Sequence, residues 1–468
     1  MHIRSKVTLR LAALTLPAIV TGCISTDPGP AIEQAGLLAE GRTSTAMTPG
    51  EAWSAPFTDR SGIWNGSDPI DQETALRVAL RNDPELRRQL ALVAERQADL
   101  AQSSLPPNPA IGFGVGIATD GMSGAPSMIQ LMQQLTWIWT IKDRMDVSDR
   151  RLKAMVLDAA GTTVRRTAAV RSSFSRLLHA QELVALHERY ATTTATSLDL
   201  TGALAEVGEL PSLEVDRASI EHRAAEAALA SARLEARTRR IELLRAIGWP
   251  EHRTEFSAIG TFAGADRATG PSETEVIERA VLVRLDVAAA EQRVLAEEAD
   301  ARLQGWRRLP EVTGMVDFRE NASGRTATLP GASVSVPVLD DGSAAIAKAS
   351  ARVEQARLAA AITRENAIEQ ARRALNRWKQ ARQQVILFED GLVSSARDVV
   401  TRSELSFKAG VSDATELLLT QRRMIELEVE LLAERLTASL AWVELEDAVG
   451  GSFDLPLERP DTEGRANS

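Results

Sequence analysis

The chain has 468 residues, of which 44% are hydrophobic, 25% charged and 4% aromatic, which excludes a disordered chain and allows two or three domains. Its formal net charge is −10; the first 22 residues hold Arg4, Lys6 and Arg10 and no acid, so the remainder carries 51 basic against 64 acidic residues. That balance argues against a nucleic-acid binder, which needs a basic patch.

In chain order, Arg4, Lys6 and Arg10 form a charged region and Leu11 to Val20 an apolar one, the pattern of an export signal over residues 1–22. Val20-Thr21-Gly22-Cys23 follows, and Cys23 is the only cysteine. This segment resembles a bacterial lipoprotein cleavage box. The resemblance implies a mature chain beginning at Cys23, with palmitate and related lipid on its sulfur and amino groups. Ser25, in place of an aspartate, favours the outer membrane by the same resemblance. An ordinary export signal with an incidental cysteine is the competing reading. No later segment has ~18 consecutive apolar residues, so no transmembrane helix is predicted; barrel strands give a weaker signal and stay open. Residues 23–70, rich in Pro, Gly, Ser and Thr, read as an extended tether with Trp53 and Trp64 as docking points.

A first structural repeat spans 71–260. Asp71 opens a helix to about Ser104, with a kink or break at Asp83-Pro84. Leu105-Pro106-Pro107-Asn108-Pro109 stops it. Ile111, Phe113, Val115 and Ile117 then alternate with Ala110, Gly112, Gly114 and Gly116, which predicts a strand over 110–118. After a loop, a return strand over 128–139 places Ile129, Leu131, Leu135, Trp137 and Trp139 on one face. A long helix from about Asp143 to Ala205 turns at Gly208 into a second helix.

The second repeat, 271–451, has the same order, and a flexible tail is expected over 452–468. A helix runs from Ser272 to Arg307, strands cover 311–319 and 329–339, and a long helix from Ser343 to Lys408 turns at Gly410. Pro109 and Pro310 lie 201 apart, and both Gly208/Gly410 and Gly248/Gly450 lie 202 apart. Such a duplication reads as architecture rather than as a catalytic centre. In the second long helix Ile346, Val353, Ala360, Ala367, Ala374, Ala381 and Phe388 recur every seven residues, with Ala371, Trp378, Val385, Leu392 and Val399 as a companion stripe. Leu417, Met424, Leu431, Ala438 and Leu445 repeat in the descending helix. These are coiled-coil seams. The fold class is therefore mainly α with a small β part.

Four strands cannot close a barrel, and open strand edges cannot face lipid, so other copies of the chain must complete the sheet. Trp137, Trp139 and Trp306 fall at the helix-side ends of the strands, as membrane-interface aromatics do; packing at the helix–strand junction explains them equally well.

Across nearly its whole mature length the chain resembles the TolC-type outer-membrane efflux proteins. The matching segments are Ala79-Leu80-Arg81-Asn82-Asp83-Pro84-Glu85-Leu86, Leu105-Pro106-Pro107-Asn108-Pro109, Val334-Ser335-Val336-Pro337-Val338, and Ala409-Gly410-Val411-Ser412 through Glu416-Leu417-Leu418. It departs from the family at Thr136-Trp137, where Gln-Pro is usual, and around Lys142-Asp143-Arg144. The resemblance implies a homotrimer with a twelve-stranded barrel in outer-membrane lipid and a helical tunnel in the periplasm. Its partners would be a periplasmic adaptor and an inner-membrane pump of the RND type. Such proteins are passive ducts that need no cofactor.

In a trimer, carboxylates at the hairpin tips would form rings that narrow the pore and favour cations. Asp413 and Glu416 follow the Gly410 turn, and Glu416 falls where the family often has an acid at the constriction; Leu419 stands where a second acid is usual. Glu209 and Glu214 are the first-repeat candidates. A solvated acid at a helix N-terminus is the alternative for each. Enzyme motifs are lacking: there is no phosphate-binding loop and no nucleophile elbow. His179 and His187, eight apart around Glu182, do not have a zinc spacing, so no metal site is expected. A conduit for type I protein secretion and a lipid-anchored periplasmic scaffold are the alternatives; four lipid-length strands argue against the scaffold.

Overall fold

The structure, a computed structural model, describes residues 25–43, 63–117, 125–249, 255–265, 267, 269–321, 323–409, 411, 412 and 414–460. The leader, Cys23, Trp53, Gly410, Asp413 and the end of the tail lie outside the described residues.

The elements in order are α1 (Gly29–Thr43), β1 (Ile70–Asp71), α2 (Gln72–Asn82), α3 (Pro84–Ser103), β2 (Ala110–Val115), β3 (Ser127–Gln134), α4 (Trp137–Glu206), α5 (Ser212–Ala246) and β4 (Ala258–Ile259). The second repeat supplies α6 (Glu273–Leu282), α7 (Leu285–Gly305), a 3-10 turn (Trp306–Arg308), β5 (Glu311–Glu320), β6 (Thr326–Ser335), α8 (Ser343–Ile386), a π-helical segment (Leu387–Val393), α9 (Ser394–Lys408) and α10 (Ala414–Val449). With 70 residues, α4 reaches about 105 Å at 1.5 Å per residue.

Helix α1 corrects the expected extended tether over Gly29–Thr43; residues 44–62 of it lie outside the described residues. Ile32, Ala35, Leu38, Ala39 and Arg42 recur every three or four residues and are buried, against Leu86, Leu90 and Val93 of α3 and Leu152 and Val156 of α4. Pro30 sits in the first turn, where a missing N–H has no intrahelical partner to lose. Arg42 is itself buried and donates to the carbonyls of Leu38, Val283 and Glu458. It thereby ties α1 to the second repeat and the C-terminal segment.

At Asp83-Pro84, where a kink or break is expected, the 71–104 segment divides into α2 and α3. The Asp83 side chain accepts from the amides of Glu85 at 2.7 Å and Leu86 at 3.2 Å, capping α3, while Pro84 cannot continue α2. The parallel pair β1–β4, with Ile70 opposite Ala258, closes the first repeat on itself.

The four longer strands form one antiparallel sheet, ordered β2-β3-β5-β6. Registers run Phe113 to Ile129, Ile129 to Phe318, and Phe318 to Thr328. The first pair is shorter than the sequence suggests: β3 ends at Gln134, and Trp137 already opens α4. Thr136 Oγ1 accepts from the Val312 amide at 3.1 Å, the last contact to β5 before the chain turns into the helix. Trp137 and Trp139 therefore lie on the first helical turn, not on a strand face. Val336 and Val338 likewise fall beyond the end of β6.

The second-repeat seam holds as far as Val385: Val353, Ala367, Ala371, Ala374, Trp378 and Ala381 are buried. It then shifts. Leu392 and Val399, expected in the stripe, are 47% and 44% exposed, while Val393 is 1% exposed. The π-helical segment Leu387–Val393, which follows Val385 and contains both Leu392 and Val393, absorbs one extra residue and brings Val393 into the core. Burying a side chain of this size contributes about 1.5–3 kcal/mol, so the shifted face is the favoured one. In α10, Leu417, Leu431, Ala438 and Leu445 are buried as their spacing requires.

The two repeats meet where α4 packs on α10. Arg171 Nη1 lies 2.6 Å from Glu446 Oε2 in a largely buried ion pair, and the Ser175 and Ser439 hydroxyls are 3.1 Å apart. The connection between repeats runs flat over Trp442 and Trp378. Gly264, at φ +73°, and Gly270 are required there, because a Cβ on either would overlap an indole ring.

Candidate functional site

Two regions carry the functional expectations: the sheet and the hairpin tips. The sheet has two unlike faces. Strand register puts Ile111, Phe113, Val115, Ile129, Val316, Phe318, Pro330 and Val334 on one face. Phe113 is 87% exposed and Ile111 70%, a far more apolar surface than a soluble monomer presents to water. The opposite face carries Gly112, Gly114, Gln130, Gln134, Asp317, Arg319, Ser333 and Ser335. Among the described residues β2 and β6 each pair on one side only, leaving one hydrogen-bonding edge of each without a strand.

The tryptophans sit at the helix-side end of this sheet. Trp306 donates from Nε1 to Asp143 Oδ2 at 2.7 Å, joining the 3-10 turn to α4. Trp139 Nε1 is buried without a hydrogen-bond partner among the described residues. Among the described residues, no helix is long and apolar enough to cross a membrane.

At the tips, Gly208 takes φ +78°, and the amides of Gly208 and Glu209 reach back to the Ala205 and Leu204 carbonyls at 3.0 and 2.9 Å. This left-handed helix end favours glycine. Glu209 is exposed on the turn. Glu214 is not: its side chain is 13% exposed. It accepts from Thr415 Oγ1 at 2.7 Å through one oxygen and from Arg217 Nη1 at 2.7 Å through the other. Arg217 also donates to Thr415 at 3.1 Å. Glu214 thus joins the first hairpin to the second. Glu416 is exposed in the first turn of α10, beside a cleft lined by Val399, Leu419 and Arg423. Sequence reasoning missed Thr415 and Arg217; the 201-residue separation between Glu214 and Thr415 matches the repeat offset and could have flagged Thr415, and Arg217 lies three residues from Glu214 on the same helix.

Titratable groups inside the first hairpin are tuned by burial. His179 and His187 are pushed below the ordinary histidine range by desolvation, and Glu182 is pushed up by it. Tyr190 is raised by burial and by donating to Glu221 at 2.6 Å, so its phenol stays protonated. Among the described residues no group of three His, Cys, Asp or Glu side chains could hold a metal ion.

A family model described as outer membrane efflux protein matches residues 75–249 and 276–451, one run in each repeat. Among curated protein sequences, none matches. Several solved structures share the fold. CusC aligns with a TM-score of 0.67 at 15% identity, covering 85% of this chain and 97% of that one. The outer membrane protein VceC of Vibrio cholerae gives 0.66 at 14%, covering 82% and 96%. The open state of the Neisseria gonorrhoeae MtrE outer membrane channel gives 0.66 at 17%, covering 84% and 91%.

Proposed function

The chain belongs to the outer membrane efflux protein family, a family of channels rather than enzymes, and on that premise we propose that it is the exit duct of a tripartite efflux system. Three copies close a twelve-stranded barrel in the outer membrane, and the helical hairpins form a tunnel in the periplasm. The tips meet a periplasmic adaptor, which links the duct to an inner-membrane pump of the RND type. Cys23 carries the lipid that anchors the mature N-terminus to the same membrane.

The observation that carries this reading is the sheet: an exposed apolar face, an opposite, more polar face, and edge strands that among the described residues are paired on one side only. Hydrogen-bond accounting in lipid forbids unpaired edges, so the strands of neighbouring copies complete the ladder. The polar face then looks into a water-filled lumen and the apolar face meets lipid. Transport is passive; direction and cargo choice belong to the pump. Deleting the gene and following retention of a fluorescent efflux tracer tests the role in cells. The deleted strain should retain tracer until the gene is restored, and undiminished export would count against the proposal.

A further inference from the structure

Three of the nine methionines, Met128, Met132 and Met315, lie on the polar face of the sheet. In a duct that face is wet, and an apolar side chain there has no core to fill. Met132 and Met315 are paired directly across β3 and β5, which brings their Cβ atoms to about 5 Å. Both are half-buried. Their row continues to Ala110 on one side and Gly331 on the other, so small neighbours flank the two thioethers. Gln130 Nε2 contacts Met315 Sδ at 3.7 Å, and Gln130 pairs with Asp317 in the adjoining row.

Asp317 supplies the charge. It is 5% exposed, and its Oδ2 accepts from Arg319 at 2.9 Å. Its Oδ1 is buried with no hydrogen-bond partner among the described residues. A buried carboxylate oxygen without a donor is an electrostatic vacancy for a cation. Two thioethers and one carboxylate oxygen, on adjacent rows of one face, form an unusual donor set for a surface whose other residues, Leu329 and Met128 apart, are small or polar.

We infer that Met132, Met315 and Asp317 form a coordination site for a soft monovalent cation of the copper(I) or silver(I) class, on the lumen wall of the duct proposed above. Thioether sulfur is a soft ligand that selects such ions over calcium, magnesium or sodium. Arg319 holds one oxygen of Asp317 and leaves the other for the ion. Only two soft donors and an open side toward the lumen make the site weak, as a conduit that must release its ions requires.

The test uses purified mature protein in detergent, with silver nitrate titrated in chloride-free buffer. Binding is followed by calorimetry and by the methionine methyl carbon resonances. The Met132 and Met315 methyl resonances should shift with silver, and calcium should not reverse the shift. The M132L/M315L double variant keeps side-chain volume and should bind silver about tenfold more weakly or worse; Asp317→Asn should weaken it less. Because only the difference between wild type and variant is read, Cys23 and the other methionines cancel. Unmoved Met132 and Met315 resonances, or equal silver affinity in the double variant, overturn the site. Potassium conductance of the same preparations in planar bilayers separates the two ideas. Conductance without methionine-dependent silver binding keeps the duct and removes the site. Methionine-dependent binding without conductance keeps the site and removes the duct.

Discussion

Thr415 donates its hydroxyl proton to Glu214 Oε2 at 2.7 Å and so joins the tips of the two helical hairpins. Arg217 closes the triangle from the other side, at 2.7 Å from Glu214 and 3.1 Å from Thr415. If the tips constrict the duct, this contact holds them together. A hydrogen bond to a charged acceptor contributes about 1.5–3 kcal/mol, reduced here because Arg217 is half-exposed. Losing it should shift a closed–open equilibrium on the order of tenfold. Glu214→Gln combined with Thr415→Val should therefore raise mean single-channel conductance severalfold. Unchanged currents in the double variant would mean that the triangle does not restrain the tips.

Gly264→Ala should be strongly destabilising. The residue sits at φ +73° with its Cα against the Trp442 indole, which is 2% exposed. An alanine would strain the backbone and displace a buried ring, at about 2 kcal/mol or more. The heat-denaturation midpoint should fall well below that of Gly41→Ala, where a Cβ meets nothing within 4 Å. Equal midpoints would contradict this.

Asp447 should make stability depend on pH. Burial raises its carboxyl above the ordinary range, Arg284 and Arg165 oppose the rise, and Asp286 and Glu444 add to it. The folded state therefore holds this proton more tightly than the unfolded state. The associated stability is fully present below about pH 4, the unfolded aspartate value, and is lost as pH rises through the higher folded value. Asp447→Asn should remove that decline and melt higher than wild type at pH 7. A variant melting lower at pH 7, with the slope intact, would refute the assignment.

Cys23→Ala should yield a mature protein without attached lipid. Mass spectrometry of the wild-type N-terminal peptide should show the added acyl mass on Cys23. An unmodified thiol there would leave only the ordinary export signal.

Much of the fold was legible because its signals are periodic. The duplication, the strand alternation and the seven-residue seams each repeat over many residues, so local exceptions do not hide them. The misses have single causes. Three glycines and a proline in α1 mask a stripe from Ile32 to Arg42 that only burial against α3 and α4 makes decisive. One extra residue in the π-helical segment moved the seam from Leu392 to Val393, and a strict seven-residue count cannot show such an insertion. Trp137 and Trp139 look like strand residues by alternation, yet the chain leaves β5 at Thr136. At the tips the sequence pointed to acids, but the residue that fixes Glu214 is Thr415, and hydrogen-bond partners across 201 residues carry no local signature.

Single-channel recording from the purified mature protein in a planar bilayer asks whether the chain forms a duct at all. Discrete, cation-preferring conductance steps from an assembly of three chains are expected. A protein that is monomeric in detergent and opens no channel would contradict it.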